Sequence, residues 1–231
     1  MKRTLTYTFL LLTLLAIDLP DGSAQEKRIR GLRLGVDVSG LVWHYVEPES
    51  FSMAVSADYE IMPAIYMAAE AGRLEVDRKK SNFNYTGEGY YARVGADYNF
   101  IQNNVDPTAK YDMLYGGIRF SGARYSHQAE NISIQNDYWG NHQSGSLPSV
   151  NMGAYWIELV AGLRVEALKN FFIGWSVRGQ LILSRDNDKR METWMIPGYG
   201  KAEQNTGLSF TYSLSYRIPL TRVPEQPPAF F

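Results

Sequence analysis

The stretch LSFTYSLSYRI, from Leu208 to Ile218, alternates apolar and polar residues at every step. A period of two sends successive side chains to opposite faces of a β-strand, so this stretch predicts a strand with one apolar and one polar face. Seven earlier segments show the same period, and they begin at Leu32, Ser52, Ile65, Tyr91, Met113, Tyr155 and Phe172. The third segment loses its phase near Gly72, where we expect a β-bulge. Eight alternating segments predict an all-β fold, an eight-stranded antiparallel up-and-down transmembrane barrel whose closure removes unpaired strand edges.

The N-terminus predicts a secretory signal peptide over residues 1–24. Lys2 and Arg3 precede an apolar run, and Gly22-Ser23-Ala24 supplies the small residues of a cleavage site. The run is shorter than the roughly 20 residues that span a bilayer as a helix. We therefore expect export and cleavage, a barrel over residues 25–220, and a Pro-rich tail over residues 221–231.

The connections between the predicted strands alternate in length, although the first is itself modest. Those predicted over residues 62–64, 102–110 and 168–170 are shorter than their neighbours over 43–50, 77–89, 125–153 and 184–205. Short turns at one end and long loops at the other are typical of outer-membrane barrels, whose long loops lie outside the cell.

The polar face of the predicted strands carries arginines but none of the chain's eight lysines. A solvated face normally includes lysine, whereas the planar guanidinium suits enclosed ion pairs. Reversing the faces would place six arginines against lipid, at a total cost on the order of 10 kcal/mol. We therefore predict lipid outside and a charge network inside, formed by Arg33, Asp37, Asp58, Glu60, Arg93, Asp97, Arg119, Glu158, Arg164, Glu166, Arg178 and Arg217, with Glu70 as a further candidate. An eight-stranded barrel is only wide enough for such side chains to fill it.

Aromatic residues cluster near both ends of the predicted strands, as in the girdles that amphipathic rings form at membrane interfaces. At the short-turn rim we expect Tyr59, Tyr98, Phe100, Tyr111, Phe171, Phe172 and Tyr216. At the long-loop rim we expect Trp43, Tyr45, Tyr90, Tyr91, Tyr125, Tyr155 and Trp156.

Together these features resemble the small Gram-negative outer-membrane barrels of the OmpA transmembrane domain and OmpX class. The runs AGLRVEALKNFFIGWSVRGQLIL and WMIPGYG are also similar to an uncharacterised family of outer-membrane barrels of this length. The resemblance implies a location in the bacterial outer membrane, contact with its lipid and passage through the barrel-insertion machinery. It implies no activity. Pro219 and an eleven-residue tail depart from the aromatic ending that such chains often have.

Catalytic and metal-binding patterns are weak in this chain. The three histidines, His44, His127 and His142, fall in predicted loops without ligand spacing, and no G-x-S-x-G motif occurs. The segment SRDNDKRME gathers acids but lacks the glycine of an EF-hand loop. Cysteine is absent and the net charge is −1, which argues against thiolate sites and a nucleic-acid partner. We predict no cofactor and no metal.

The leading hypothesis is a monomeric, non-enzymatic outer-membrane barrel that is structural or interacts through its outer loops, where Tyr138 and Trp139 are possible contacts for an unknown extracellular partner. Three alternatives stay open at this point: a lipid-modifying membrane enzyme using His44, a small channel, and a soluble lipocalin-like binder.

Overall fold

A computed structural model describes residues 28–46, 48–81, 83–101, 111–136 and 141–223. The predicted signal peptide and the last eight residues lie outside this range, as do Tyr138 and Trp139. The elements in chain order are β1 (Arg28–Asp37), α1 (Ser39–Val46), β2 (Ser50–Met62), β3 (Ile65–Lys79), β4 (Asn84–Asn99), β5 (Met113–Asn136), β6 (Asn141–Leu168), β7 (Phe171–Arg185), β8 (Met195–Ile196), β9 (Gly200–Lys201) and β10 (Thr206–Val223).

Strands β1 to β7 and β10 form one closed antiparallel barrel. Consecutive barrel strands are neighbours, and β1 pairs with β10 to close the ring. The short strands β8 and β9 form a separate two-stranded ribbon. The predicted eight-stranded up-and-down barrel is confirmed.

The outside of the barrel is apolar and the inside is charged. Leu159 and Ile118 point outward from adjacent strands and are 67% and 63% exposed. Arg119 and Glu158, each one residue away, point inward and are buried. This alternation is that of a transmembrane β-barrel, whose apolar side chains face lipid. Within the described residues, no helix combines the length and apolar character needed to cross a bilayer.

The two ends of the barrel differ. At one end, which we call the short-turn end, two-residue turns join β2 to β3 and β6 to β7. Ala64 and Asn170 adopt positive φ angles there, as tight turns require. The opposite end, the loop end, carries α1 and residues 186–205. We call residues 186–205 the mouth loop.

Two predicted loops at the loop end are mostly strand. Pairing of β3 with β4 continues to Lys79 and Asn84, and pairing of β5 with β6 continues to Asn136 and Asn141. The predictions of loops over 77–89 and 125–153 were therefore wrong in extent. Above the apolar band, both faces of a strand can be polar, so backbone pairing continues where the hydrophobic period stops.

The expected bulge at Gly72 is absent, because β3 keeps its register with both neighbours through this residue. A Cβ at Gly72 would lie 2.5 Å from the ring of Tyr91 on β4. The glycine therefore makes room for a large inward-pointing ring and does not mark a break in pairing.

The aromatic girdles are only partly as predicted. Tyr90 and Tyr155 at the loop end are exposed, as are Tyr98 and Tyr216 at the short-turn end. The inward-pointing rings are instead buried, namely Tyr91, Tyr125, Trp156 and Phe172. The prediction was wrong for these four because successive residues of a strand face opposite sides, and each of the four occupies an inward position. In the adjacent pairs Tyr90–Tyr91, Tyr155–Trp156 and Phe171–Phe172, only one ring can face the lipid.

Candidate functional site

The barrel interior is the candidate functional site, because it gathers most of the buried charge of the described chain. Among the twelve residues predicted for the interior network, nine are buried; Asp37, Arg164 and Glu166 are partly exposed. Each points inward because it occupies the position of a strand opposite to the lipid-facing residues. Glu70, the further candidate, also lies in this set.

Two arginines and two glutamates form a closed ring of ion pairs at mid-height, which we call the central network. Arg93 donates from Nε to Glu158 and from Nη1 to Glu70, both at 3.0 Å. Arg178 donates from Nη1 to Glu158 at 3.3 Å and from Nη2 to Glu70 at 2.9 Å. Each carboxylate therefore bridges both guanidinium groups. Such forked, multiply bonded geometry is what lets charges persist away from water.

Glu158 is the most heavily hydrogen-bonded member of the central network. Besides the two arginines, Trp156 Nε1 at 2.5 Å, Ser121 Oγ at 3.1 Å and Gln180 Nε2 at 3.3 Å all donate to Glu158 Oε1. The sequence analysis did not include these three residues in the predicted network because they carry no charge. Their inward position could be read from the alternating pattern.

A second group lies nearer the short-turn end, and we call it the lower network. Asp58 accepts from Arg33 at 3.1 Å and from Arg164 at 2.9 Å. Aromatic rings cover the two cations: Arg33 lies 4.7 Å from the centre of the Phe172 ring, and Arg164 lies 5.2 Å from that of Tyr115. Cation–π contacts of this kind stabilise desolvated guanidinium groups.

A polar cavity separates the two networks. Its lining includes Ser56, Ser176, Thr211 and Ser213, together with Asp37. Its water-accommodating volume is about 30 Å³, enough for a few ordered water molecules. A space of this size, lined by hydroxyl and charged groups, fits bound water and is too small for an organic solute.

The mouth loop folds down onto the central network. The carbonyl oxygen of Gly198 accepts from Arg93 Nη2 at 2.5 Å and from Gln180 Nε2 at 3.1 Å. Ile196 and Tyr199, on either side, are buried among the upper aromatic residues of the barrel. The loop thus covers the interior from the loop end. No feature of its sequence had predicted this position.

Polar contacts fix the outer part of the mouth loop. Asp188 lies 3.4 Å from His127 Nε2, and Tyr85 lies 3.4 Å from the other ring nitrogen of His127. The Trp194 backbone N–H donates to the Tyr85 hydroxyl at 3.2 Å. Hydrogen bonds from the side chain and backbone of Arg190 hold the pKa of Asp188 below its usual range. Through its contact with His127 on β5, Asp188 links the mouth loop to the barrel wall.

The remaining candidates do not converge on one site. His44 is exposed on α1, where its Nδ1 lies 3.0 Å from the Ser50 carbonyl oxygen and its ring packs edge-on against Phe51. Asp186 accepts from the Gly153 backbone N–H at 2.8 Å. Across the described parts of the chain, no cluster of histidine and acidic side chains has the arrangement of a metal site.

A closed antiparallel barrel with an apolar outer surface and paired charges within defines the class: a small transmembrane β-barrel whose interior is filled by side chains. The chain belongs to the family described as "Domain of unknown function (DUF6048)", whose family model matches residues 4–223.

Several solved structures are similar to this chain. A major outer membrane protein from Thermus thermophilus is 8% identical with a TM-score of 0.48, and the match covers 83% of this chain and 100% of that one. Ail, the attachment invasion locus protein of Yersinia pestis, is 12% identical with a TM-score of 0.41, covering 84% and 100%. Neisserial surface protein A is 12% identical with a TM-score of 0.36, covering 83% and 96%. Among curated protein sequences, nothing matches. At these identities the likeness does not extend to function.

Proposed function

We propose that this protein is a sealed, non-conducting barrel of the bacterial outer membrane that acts without catalysis, as a structural element or through contacts at its loop end. The observation that carries the proposal is the direct bond from the mouth loop to the central network. Arg93 holds Glu70, Glu158 and the Gly198 carbonyl at once, so the loop and the ion pairs form one continuous obstruction.

Charge balance supports a filled interior over a channel. The central network pairs two cations with two anions, whereas an ion-selective pore presents a ring of one sign to the permeating ion. Opening a pore through the central network would break its four charge-assisted hydrogen bonds together. The barrel therefore stays closed in its resting state.

The test is conductance of the purified protein in planar bilayers of phosphatidylcholine. We expect no steady ohmic current from the wild-type protein. The test variant carries alanine at all four positions of the central network, Glu70, Arg93, Glu158 and Arg178. Its net charge is unchanged and its central network is removed, so it should conduct ions. The control replaces the exposed pair Arg73 and Glu88, 3.1 Å apart on the outer surface, by alanine and should stay closed. Ohmic steps from the wild-type protein would refute the sealed interior.

The proposed route to the membrane includes cleavage of residues 1–24. The charged start, the apolar run and Ala24 support it. N-terminal sequencing of protein extracted from outer membranes should begin at Gln25. A mature chain that begins at Met1 would remove this part of the proposal.

A further inference from the structure

Helix α1 carries a compact set of exposed apolar side chains at the loop end of the barrel. Its sequence, SGLVWHYV, has no acidic residue, lysine or arginine. Leu41 is 51% exposed, Val42 and Trp43 are each 55% exposed, and Tyr45 is 91% exposed. Contiguous apolar surface of this kind is costly in water and marks a contact with a partner or a membrane.

The first turn of α1 packs tightly against the barrel. A Cβ at Gly40 would lie 1.9 Å from the Ser52 carbonyl oxygen on β2, which only a glycine permits. Ser39 and Gly40 are buried at this contact, while residues 41–45 are all exposed. The exposed side of α1 is therefore a fixed feature of the fold.

The apolar surface of α1 continues the lipid-facing surface of β2. The His44 ring packs against Phe51, and Met53 and Val55 follow on the same outer face with 59% and 55% exposure. The exposed side chains of α1 and the lipid-facing wall thus meet at the contact between His44 and Phe51.

The height of α1 matches the edge of the apolar band. Met53 pairs in register with Arg73, whose outward-pointing side chain forms ion pairs with Glu75 and Glu88. Apolar residues give way to charged residues at this level of the wall, which marks the boundary between acyl chains and headgroups. Trp and Tyr are the residues that favour this boundary.

We propose that α1 docks into the outer leaflet, with Leu41, Val42 and Trp43 among the upper acyl chains and Tyr45 at the headgroups. The occupant of this surface is lipid. The neutral charge of α1, its aromatic content and its continuity with the lipid-facing wall all favour lipid over a second protein. This inference rests on the proposed membrane residence of the barrel.

The test is a depth measurement by electron paramagnetic resonance. The chain has no cysteine, so single cysteines can be introduced and spin-labelled without background. The three sites are Tyr45→Cys on α1, Ile118→Cys on the lipid-facing wall and Lys189→Cys on the mouth loop. Each protein is inserted into phosphatidylcholine vesicles, and label collisions with oxygen and with a water-soluble nickel complex are compared.

We expect the oxygen-to-nickel collision ratio at Tyr45 to lie between the high value at Ile118 and the low value at Lys189. A ratio at Tyr45 equal to that at Lys189, with Ile118 still lipid-exposed, would overturn the docking of α1 and leave membrane residence intact. Spin–spin broadening at Tyr45 would also overturn it, because the occupant would then be a second copy. A water-exposed label at Ile118 would instead refute the proposed membrane residence.

A matched pair of substitutions in the Tyr45→Cys background separates docking from folding. Val42→Asp places a charge on the surface assigned to lipid, and it should shift the collision ratio at Tyr45 towards the value at Lys189. Asn187→Asp adds the same charge to the exposed mouth loop and should leave the ratio unchanged. Heat-dependent gel mobility checks that both variants retain the closed barrel. An unchanged ratio in a folded Val42→Asp variant would contradict the proposal.

Discussion

One carboxylate inside this barrel, that of Glu158, is held by more donors than charge pairing alone requires. Glu158 accepts from two arginines and three neutral side chains, and its side chain is fully enclosed. A buried carboxylate needs partners in every direction because it has lost its hydration shell. Arg93 and Arg178 depend on Glu158 in turn, so removing Glu158 leaves the rest of the central network with an unbalanced positive charge.

The first prediction concerns this imbalance. Glu158→Ala leaves Arg93 and Arg178 sharing only Glu70, and breaking a buried pair in this way costs about 3 kcal/mol of unfolding free energy. Urea unfolding in lipid vesicles, followed by tryptophan fluorescence, measures the loss. Glu88→Ala is the control, since it breaks an exposed pair worth less than about 1 kcal/mol. Equal losses in the two variants would show that the central network does not stabilise the barrel.

Tyr91 shows how two glycines position one ring. A Cβ at Gly72 or at Gly198 would come within 2.5 or 2.6 Å of the Tyr91 ring, so the ring lies between β3 and the mouth loop. Gly198 also has a φ of +77°, a conformation that side chains disfavour. The mouth loop reaches the central network only because this residue lacks a side chain.

The second prediction follows from Gly198. Gly198→Ala adds roughly 1–2 kcal/mol of backbone strain and a clash with Tyr91, so the mouth loop should lift away from the interior. Trypsin should then cleave after Lys189 and Arg190 faster than in the wild-type protein in intact vesicles. Gly179→Ala is the control, because nothing lies within 4 Å of its added Cβ. An unchanged cleavage rate in Gly198→Ala would mean that the loop is held by its outer contacts.

At the scale of elements, hydrophobic alternation predicted the strands within the apolar band. There the outer face requires apolar residues against lipid, and the inner face carries polar and charged residues. Leu159 and Glu158 illustrate this, since each can occupy only its own side. The pattern failed above the band, where β5 and β6 extend well beyond the predicted strand ends. It also failed for the mouth loop, whose position depends on contacts with distant residues such as Arg93. Tyr91 and Trp156 were wrongly assigned to the lipid-facing girdles. The prediction gave more weight to their aromatic character than to their inward position in the alternating pattern.

The third prediction tests the lipid-facing surface of the strands. Leu159→Arg places a guanidinium at an outward position within the apolar band, where it should cost about 2–4 kcal/mol. A barrel surrounded by water would tolerate the same change within about 0.5 kcal/mol. Ser146→Arg, at an exposed position in the extension of β6, is the matched control and should be neutral. Unfolding midpoints in vesicles compare the two, and a neutral Leu159→Arg would argue against lipid contact at this surface.

At the scale of the whole molecule, the two ends present different chemistry. The short-turn end closes with two-residue turns, whereas the loop end carries α1, the mouth loop and the extended β3–β6 wall. Outer-membrane barrels place short turns in the periplasm and long extensions outside the cell. The asymmetry therefore predicts one orientation, in which the mouth loop and α1 belong to the outer leaflet side.

The last prediction tests this orientation in intact cells with a membrane-impermeant maleimide too large for porins. The cysteine-free chain allows a pair of single variants, Lys189→Cys in the mouth loop and Lys169→Cys in the turn between β6 and β7. Both positions are exposed, so accessibility differs only through the membrane between them. Lys189→Cys should react in intact cells, and Lys169→Cys should react only after the outer membrane is permeabilised. The opposite pattern would show that the barrel is inserted in the opposite orientation. Helix α1 would then lie in the periplasmic leaflet, because the barrel wall fixes the two ends relative to each other.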